Sequence, residues 1–421
     1  MTRREGHVYE WTLVLSLALM FGFVGLNRVG IGYVLPPIVQ EFHLEFWQAG
    51  LLVSGTSLAW AISAWISGSV SDRIGRKKVL LIGMYGAACV SALIGTSWNF
   101  VSLFIFRDIL GFGDGVSLTT GQSTIAERTN PERRALYQGI FNGGYNLLGL
   151  ALGAFIITRL ATAVGWRWTF PLVGVFGALV TTWLIFILPK ELPVTVREGA
   201  GQLKASAFVR DLREILGTRG MAFATLAFTL TLAWLGLNIA FSALFLVQVR
   251  GYSLNDAGSI LAASAAIGLT GILIVPALSD IIGRRRAGML AAIIGGAGLL
   301  VFAVVPMATP LMIVVMAIGQ MGATGLTPVC GATLPSELVP TRRGASIGVC
   351  NLFAATLGIT LSPIIGGVLA DNFGLTVPVV LASVCILLVA VALAGVPETA
   401  PRLVSRQSVA QRAAPQPSVT I

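Results

Sequence analysis

Apolar residues run through this chain in long unbroken stretches, separated by short polar segments. Twelve are legible, at 12–35, 47–70, 79–98, 100–126, 138–162, 166–189, 220–248, 256–279, 287–306, 309–333, 345–370 and 374–396. A bilayer core of ~30 Å needs roughly 20 apolar residues per helix, so each stretch predicts one crossing. The runs are continuous rather than alternating, which excludes a β-barrel. The expected fold is an all-α membrane protein of twelve transmembrane helices. The amino terminus carries Arg3 and Arg4 but no small-residue cleavage site, so the first stretch is expected to remain as a helix.

Composition agrees. Of 421 residues, 55% are hydrophobic and 11% charged, against roughly 25% charged in a soluble domain. Cys89, Cys330, Cys350 and Cys385 fall inside apolar runs, and His7 and His43 lie in flanking segments. Neither set has metal-ligand or disulfide-framework spacing. No phosphate loop, nucleophile elbow or zinc-protease motif appears, so no enzyme, metal or cofactor is expected.

The net charge of +10 invites a nucleic-acid partner until its position is read. Of the 28 Lys and Arg, 23 fall in the tails and the even-numbered loops, three on the other side (Arg159, Arg167, Arg250), and Arg28 and Arg107 lie within spans. That bias is the positive-inside rule and predicts both termini in the cytoplasm. The partner of the basic surface is the lipid bilayer, not nucleic acid.

The chain is also written twice. Gly68, Asp72, Arg73, Gly75, Arg76, Lys77 and Lys78 follow the second stretch; Asp280, Gly283, Arg284, Arg285 and Arg286 follow the eighth, with Asp72 and Asp280 208 residues apart. A second motif repeats at 209–210: Glu127 with Arg133 and Arg134, then Glu337 with Arg342 and Arg343. Two motifs at nearly one offset predict two six-helix bundles of the same topology, related by pseudo-two-fold symmetry about the membrane normal. The bundles are expected over 1–189 and 220–396, with a cytoplasmic linker at 190–219 and a disordered cytoplasmic tail at 397–421.

With these residues in view, the chain resembles the major facilitator superfamily across both halves. The spacing of Gly68, Asp72, Arg73, Gly75, Arg76 and Lys77 matches that superfamily's loop motif; the second copy departs from it at Pro276 and Ile281. The resemblance implies a transporter working by alternating access, mostly monomeric, in the bacterial inner membrane. It also implies that Asp72 is a conformational latch, so the motif residues with Asp280, Gly283 and Arg284 form the expected gate. Gly75 suits the tight turn of so short a loop.

Three ionisable residues fall well inside spans, Arg28, Arg107 and Asp114, with Asp108 beside the second. Each charge at mid-bilayer costs roughly 2.5–3.5 kcal/mol. Counting ~1.5 Å per residue puts the two arginines at one level and Asp114 roughly 10 Å below them. Arg107 and Asp114 share a helical face at i,i+7. One reading is a structural ion pair joining helices 1 and 4. The other is a cavity whose surplus arginine greets a carboxylate, since guanidinium offers a fork matched to two oxygens. On that reading Arg28 is the first substrate contact, with Arg107 beside it, and Asp114 carries a proton. An anion on the arginines would ease proton uptake by Asp114, the reciprocal coupling of a symporter.

Finer resemblance follows. Asn27 and Arg28, with Pro36, Pro37 and Ile38 and then Gln48 and Gly50, look like the anion:cation symporter branch, which carries small organic anions, generally with protons. Arg107 with Asp114 matches that branch's fourth-helix pair, where the acid is usually Glu. Arg107 with Gly111 matches a broader proton-coupled pattern, and the stretch from Arg107 to Arg134 resembles aromatic-acid:proton symporters. Asn27 departs from the branch, which commonly has Asp there. Among other polar residues on apolar spans, Tyr145 and Asn351 are the expected further contacts. Asn142, Asn146, Asn238 and Gln320 serve equally as interhelical glue. The glycines of helices 5 and 11 suit close packing, and Trp60 reads as core or lipid-facing. The competing functions are a proton-driven drug or metabolite efflux antiporter on the same fold, whose fifth-helix glycine-proline pattern is incomplete here, and a transporter-like sensor without flux.

Overall fold

The computed structural model describes residues 3–130, 133–188 and 212–400. The side chains of Asp72 and Arg73, most of the linker expected at 190–219 and the tail beyond 400 lie outside the described residues, while Gly68 falls within the helix Phe46–Ile74. Twelve long helical segments run through the rest: α1 (Arg3–Phe42), α2 (Phe46–Ile74), α3 (Arg76–Ile94), α4 (Phe100–Arg128), α5 (134–164), α6 (Trp166–Ile187), α7 (221–249), α8 (254–282, broken by a turn at 269–270), α9 (Arg284–Val304), α10 (309–338), α11 (343–373) and α12 (Thr376–Ala394). No strand occurs among the described residues. Ten of the helices are long and apolar enough to cross a membrane by length and composition; the other two are α2 and α4, and α4 holds Arg107, Asp108 and Asp114. The apolar run at 12–35 understates α1, which extends to Arg3 and Phe42. Backbone bonding continues through polar flanks that hydropathy does not count.

Helix ends follow local chemistry. Asn99 accepts the N–H of Ser102 at 2.8 Å, and the Ser102 hydroxyl accepts the N–H of Asn99 in return, a reciprocal cap that starts α4. Gly75 ends α2 and starts α3 at φ 101°, ψ 138°, and Gly283 does the same between α8 and α9 at φ 104°, ψ 148°. Both lie where side chains with a Cβ are strained, which explains why the loop motif carries glycine in each copy.

The repeat extends beyond the motifs. A π-helical turn interrupts α5 at Asn146–Ala151 and another interrupts α11 at Ala354–Thr360, starting 208 residues apart. The two sequence motifs of each half also touch each other. Arg76 pairs with Glu127 at 2.8 Å, and its counterpart Arg284 pairs with Glu337 at 3.1 Å. In both copies an arginine of the short loop is tied to the end of the fourth helix of its half. Asp280 is taken by Arg284 at 2.6 Å within its own loop.

The halves meet along α1 and α7, α2 and α11, and α5 and α8. At the end away from the termini, Asp371 of α11 accepts the backbone N–H groups of Phe46 and Trp47, and Thr162 of α5 donates to Asn255 of α8 at 3.0 Å. Gly50 packs on the carbonyl of Pro363 and Gly258 on that of Ala154. That end is closed. Toward the termini, Gly139 and Gly143 of α5 and Gly344 and Gly348 of α11 meet nothing within 4 Å. Close packing, the role expected for the glycines of these helices, holds for the other segment only, as where Gly149 of α5 lies against Gly25 of α1.

Candidate functional site

Arg28 sits midway along α1 with 9% of its surface exposed. Its guanidinium donates to the Ser57 hydroxyl of α2 at 3.2 Å and lies over the Trp60 ring, 4.4 Å from the centroid. It pairs with no carboxylate within 4.0 Å among the described residues. The ring face supplies a desolvated cation with partial compensation and leaves most of the guanidinium fork without an anion. Trp60 is therefore part of the site, against the expectation of a core or lipid-facing role. Its aromatic face at i+3 from Ser57 was the available signal.

Arg107 is fully buried, and its partners differ from those expected of a ligand contact. It donates to the Asn27 carbonyl at 2.7 Å and to the Arg28 carbonyl at 3.3 Å. It clamps the backbone of α1 at the turn that aims Arg28. Asn27 is fully buried too, with its side-chain oxygen accepting the Ser91 hydroxyl of α3 at 2.8 Å while its NH2 group has no partner. The two arginines do share a level, as helix counting predicts.

Asp114 is fully buried, and neither carboxylate oxygen has a hydrogen-bond partner. The structural ion pair expected between helices 1 and 4 is not formed: Arg28 makes no salt bridge to Asp114 within 4.0 Å, and Arg107 directs two of its nitrogens to α1 while its Nε has no partner. Both arginines still act on Asp114 through space. A lone buried carboxyl is far cheaper neutral than charged, the property a proton carrier needs. Asp108 turns toward α2, one oxygen buried without a partner, against the bare backbone of Gly55.

Tyr145 closes the cluster from α5, just before the π-helical turn. Its ring packs on Phe21 with centroids 5.2 Å apart, and its hydroxyl is within electrostatic range of Arg28, Asp114 and Arg107. Asn351 stands apart on α11, exposed, its amide donating to the Ile347 carbonyl at 2.9 Å. Its counterpart 209 residues earlier, Asn142, makes the same bond to Gln138 at 2.8 Å. No group of three or more His, Cys, Asp or Glu among the described residues could hold a metal.

Above this cluster, between the halves, lies a small, partly open cavity. Val29 and Tyr33 of α1 and Leu150 of α5 face Trp234 and Asn238 of α7 and Gln320 of α10 across it. Tyr33 is held by its hydroxyl on the carbonyls of Gly149 and Leu150, at 3.0 and 3.3 Å, within the π-helical turn of α5. Tyr33 and Trp234 drew no notice in the sequence, where an aromatic residue on an apolar span looks like any other.

A two-fold bundle of apolar helices with charge buried inside its first half is what the geometry defines, and the profile of the Major Facilitator Superfamily matches residues 17–355 and 277–419. The chain belongs to that superfamily. It is 26% identical over 382 residues to the hexuronate transporter of Bacillus subtilis, covering 86% of this chain and 88% of the relative. It is 24% identical over 394 residues to the gallate transporter of Pseudomonas putida, covering 87% of each. The match to the 4-hydroxybenzoate transporter PcaK of Acinetobacter baylyi, 29% identical over 196 residues, spans 47% of this chain and 43% of the relative. Among solved structures, an inward-facing, occupied bacterial homologue of the human lysosomal transporter Spinster superposes with a TM-score of 0.79 at 19% identity, covering 97% of this chain and 99% of that one.

Proposed function

We propose that this protein is a secondary active transporter that imports a small organic anion together with a proton, by alternating access of a central site. The two bundles, 1–189 and 220–396, would rock about that site with the linker between them, in a bacterial inner membrane with both termini cytoplasmic. The observation that carries the reading is Arg28: a cation in mid-span, stacked on Trp60 and without a carboxylate partner. Such a charge is costly unless an anion visits it. Arg28 then contacts the carboxylate, Arg107 holds α1 in register for it, and Asp114 takes the proton. Neutralising Arg28 with an anionic cargo lowers the positive field at Asp114 and favours proton uptake there, so the two ligands assist each other. Similarity to carriers of hexuronate, gallate and 4-hydroxybenzoate supports an acidic cargo.

The test is flux in proteoliposomes. Labelled 4-hydroxybenzoate, gallate and glucuronate are offered with an inward proton gradient and without one. Accumulation of at least one acid that collapses with a protonophore is the expected result. Expulsion driven by the gradient would establish an antiporter, and binding without flux a sensor.

A further inference from the structure

Most polar groups on the cavity wall are already committed. Tyr33 donates to the carbonyls of α5, Thr324 donates to the Gly268 carbonyl at 2.7 Å, and Gln320 reaches the Ser264 hydroxyl at 3.5 Å. Two donors remain. Trp234 is 3% exposed, yet its indole N–H has no acceptor. Asn238, one turn further along α7, uses its side-chain oxygen to accept the Ser242 hydroxyl at 2.7 Å, which leaves its NH2 group free. Residues at i and i+4 share a helical face, and both side chains line the same cavity. A buried donor without a partner costs roughly 1–3 kcal/mol and is explained when a ligand supplies the acceptor.

The rest of the wall limits what that ligand can be. Eight of the thirteen lining residues are aliphatic. A polyhydroxylated acid would bury several hydroxyls there without partners, each at a cost of roughly 1–3 kcal/mol. A flat, apolar body with a single remote oxygen fits better. The cavity also adjoins the arginine. Val29, a lining residue, follows Arg28 in sequence, and Gly32, on the face of α1 that carries Arg28, packs on the carbonyl of Ile239, another lining residue.

We propose that Trp234 and Asn238 form a second, specificity-determining subsite, donating hydrogen bonds to a hydroxyl or carbonyl oxygen on the cargo, at the end remote from its carboxylate. The inference rests on the carboxylate reading of Arg28 and adds the other end of the molecule. One ligand then touches α1 of the first bundle and α7 of the second, so an acid lacking the remote oxygen engages only one half.

Binding of benzoate and of 4-hydroxybenzoate to the full-length protein, by calorimetry at one pH, tests this. The wild type is expected to bind the hydroxylated acid about tenfold more tightly. Trp234→Phe keeps the ring and removes the donor. It is expected to erase most of that preference while benzoate affinity stays within about twofold, which also reports an intact fold; Asn238→Ala should act in the same direction. Equal weakening of both acids would reduce Trp234 to packing and overturn the subsite, as would an unchanged preference in both variants. If the wild type binds neither of these acids, nor gallate or glucuronate, the carboxylate reading falls and the subsite with it; if it binds glucuronate alone, only the subsite falls. If it binds both equally, only the subsite falls.

Discussion

The Asp371 carboxylate of α11 accepts the backbone N–H of Trp47, at 3.0 Å, and that of Phe46 beside it at 2.7 Å, so the first turn of α2 is capped by the opposite half of the protein. The other copy of this contact is Thr162 on Asn255 at 3.0 Å. Thr162 lies 209 residues before Asp371, and Asn255 lies 209 after Phe46. The closed end is thus joined by two symmetry-related contacts of unequal strength. One is a carboxylate on a helix N-terminus, charge-assisted and aligned with the dipole; the other is a neutral pair.

Asp371→Asn is therefore expected to weaken closure at that end by about 1 kcal/mol, a roughly fivefold shift toward the conformer open there. Thr162→Val should shift it less. Spin-label distances between α2 and α11 and between α5 and α8, measured in lipid, read the shift directly. Equal effects from the two variants would contradict the asymmetry.

Asp114→Asn should preserve exchange of labelled against unlabelled acid while abolishing gradient-driven accumulation. The carboxamide keeps the shape and cannot carry a proton. Accumulation at the wild-type level would remove Asp114 from the coupling.

Arg107 is the strongest positive charge acting on Asp114 and also clamps α1. Arg107→Met removes both effects and leaves a lone acid, so a clear drop in the thermal midpoint is expected. Adding Asp114→Asn should recover part of the loss, with a coupling of about 1 kcal/mol in a double-mutant cycle. Additive effects would mean the two residues do not sense each other.

Gly75→Ala and Gly283→Ala should each destabilise by roughly 1–2 kcal/mol, because both positions hold positive φ. Thermal unfolding in detergent measures this. An effect at only one of the two would break the equivalence of the loops.

The fold was legible because its signals are periodic: lipid demands long apolar runs, and duplication leaves an offset near 208 that the Arg76–Glu127 and Arg284–Glu337 pairs then use in space. The level shared by Arg28 and Arg107 followed from helix rise alone. The partners of Arg107 did not, because backbone carbonyls accept without leaving a trace in the sequence. Asp371 was invisible for the same reason, its acceptors being met by main-chain N–H groups. Trp234 and Tyr33 gain their meaning from helix rotation and the π-helical turns, which no single residue type announces.

The most direct measurement of the account is acid binding by Arg28→Lys, which keeps the charge but loses the guanidinium fork and much of its stacking on Trp60. Titrated with an acid that the wild type accumulates, the variant is expected to bind at least about tenfold more weakly with its thermal midpoint nearly unchanged. Affinity equal to the wild type would show that Arg28 does not hold the carboxylate.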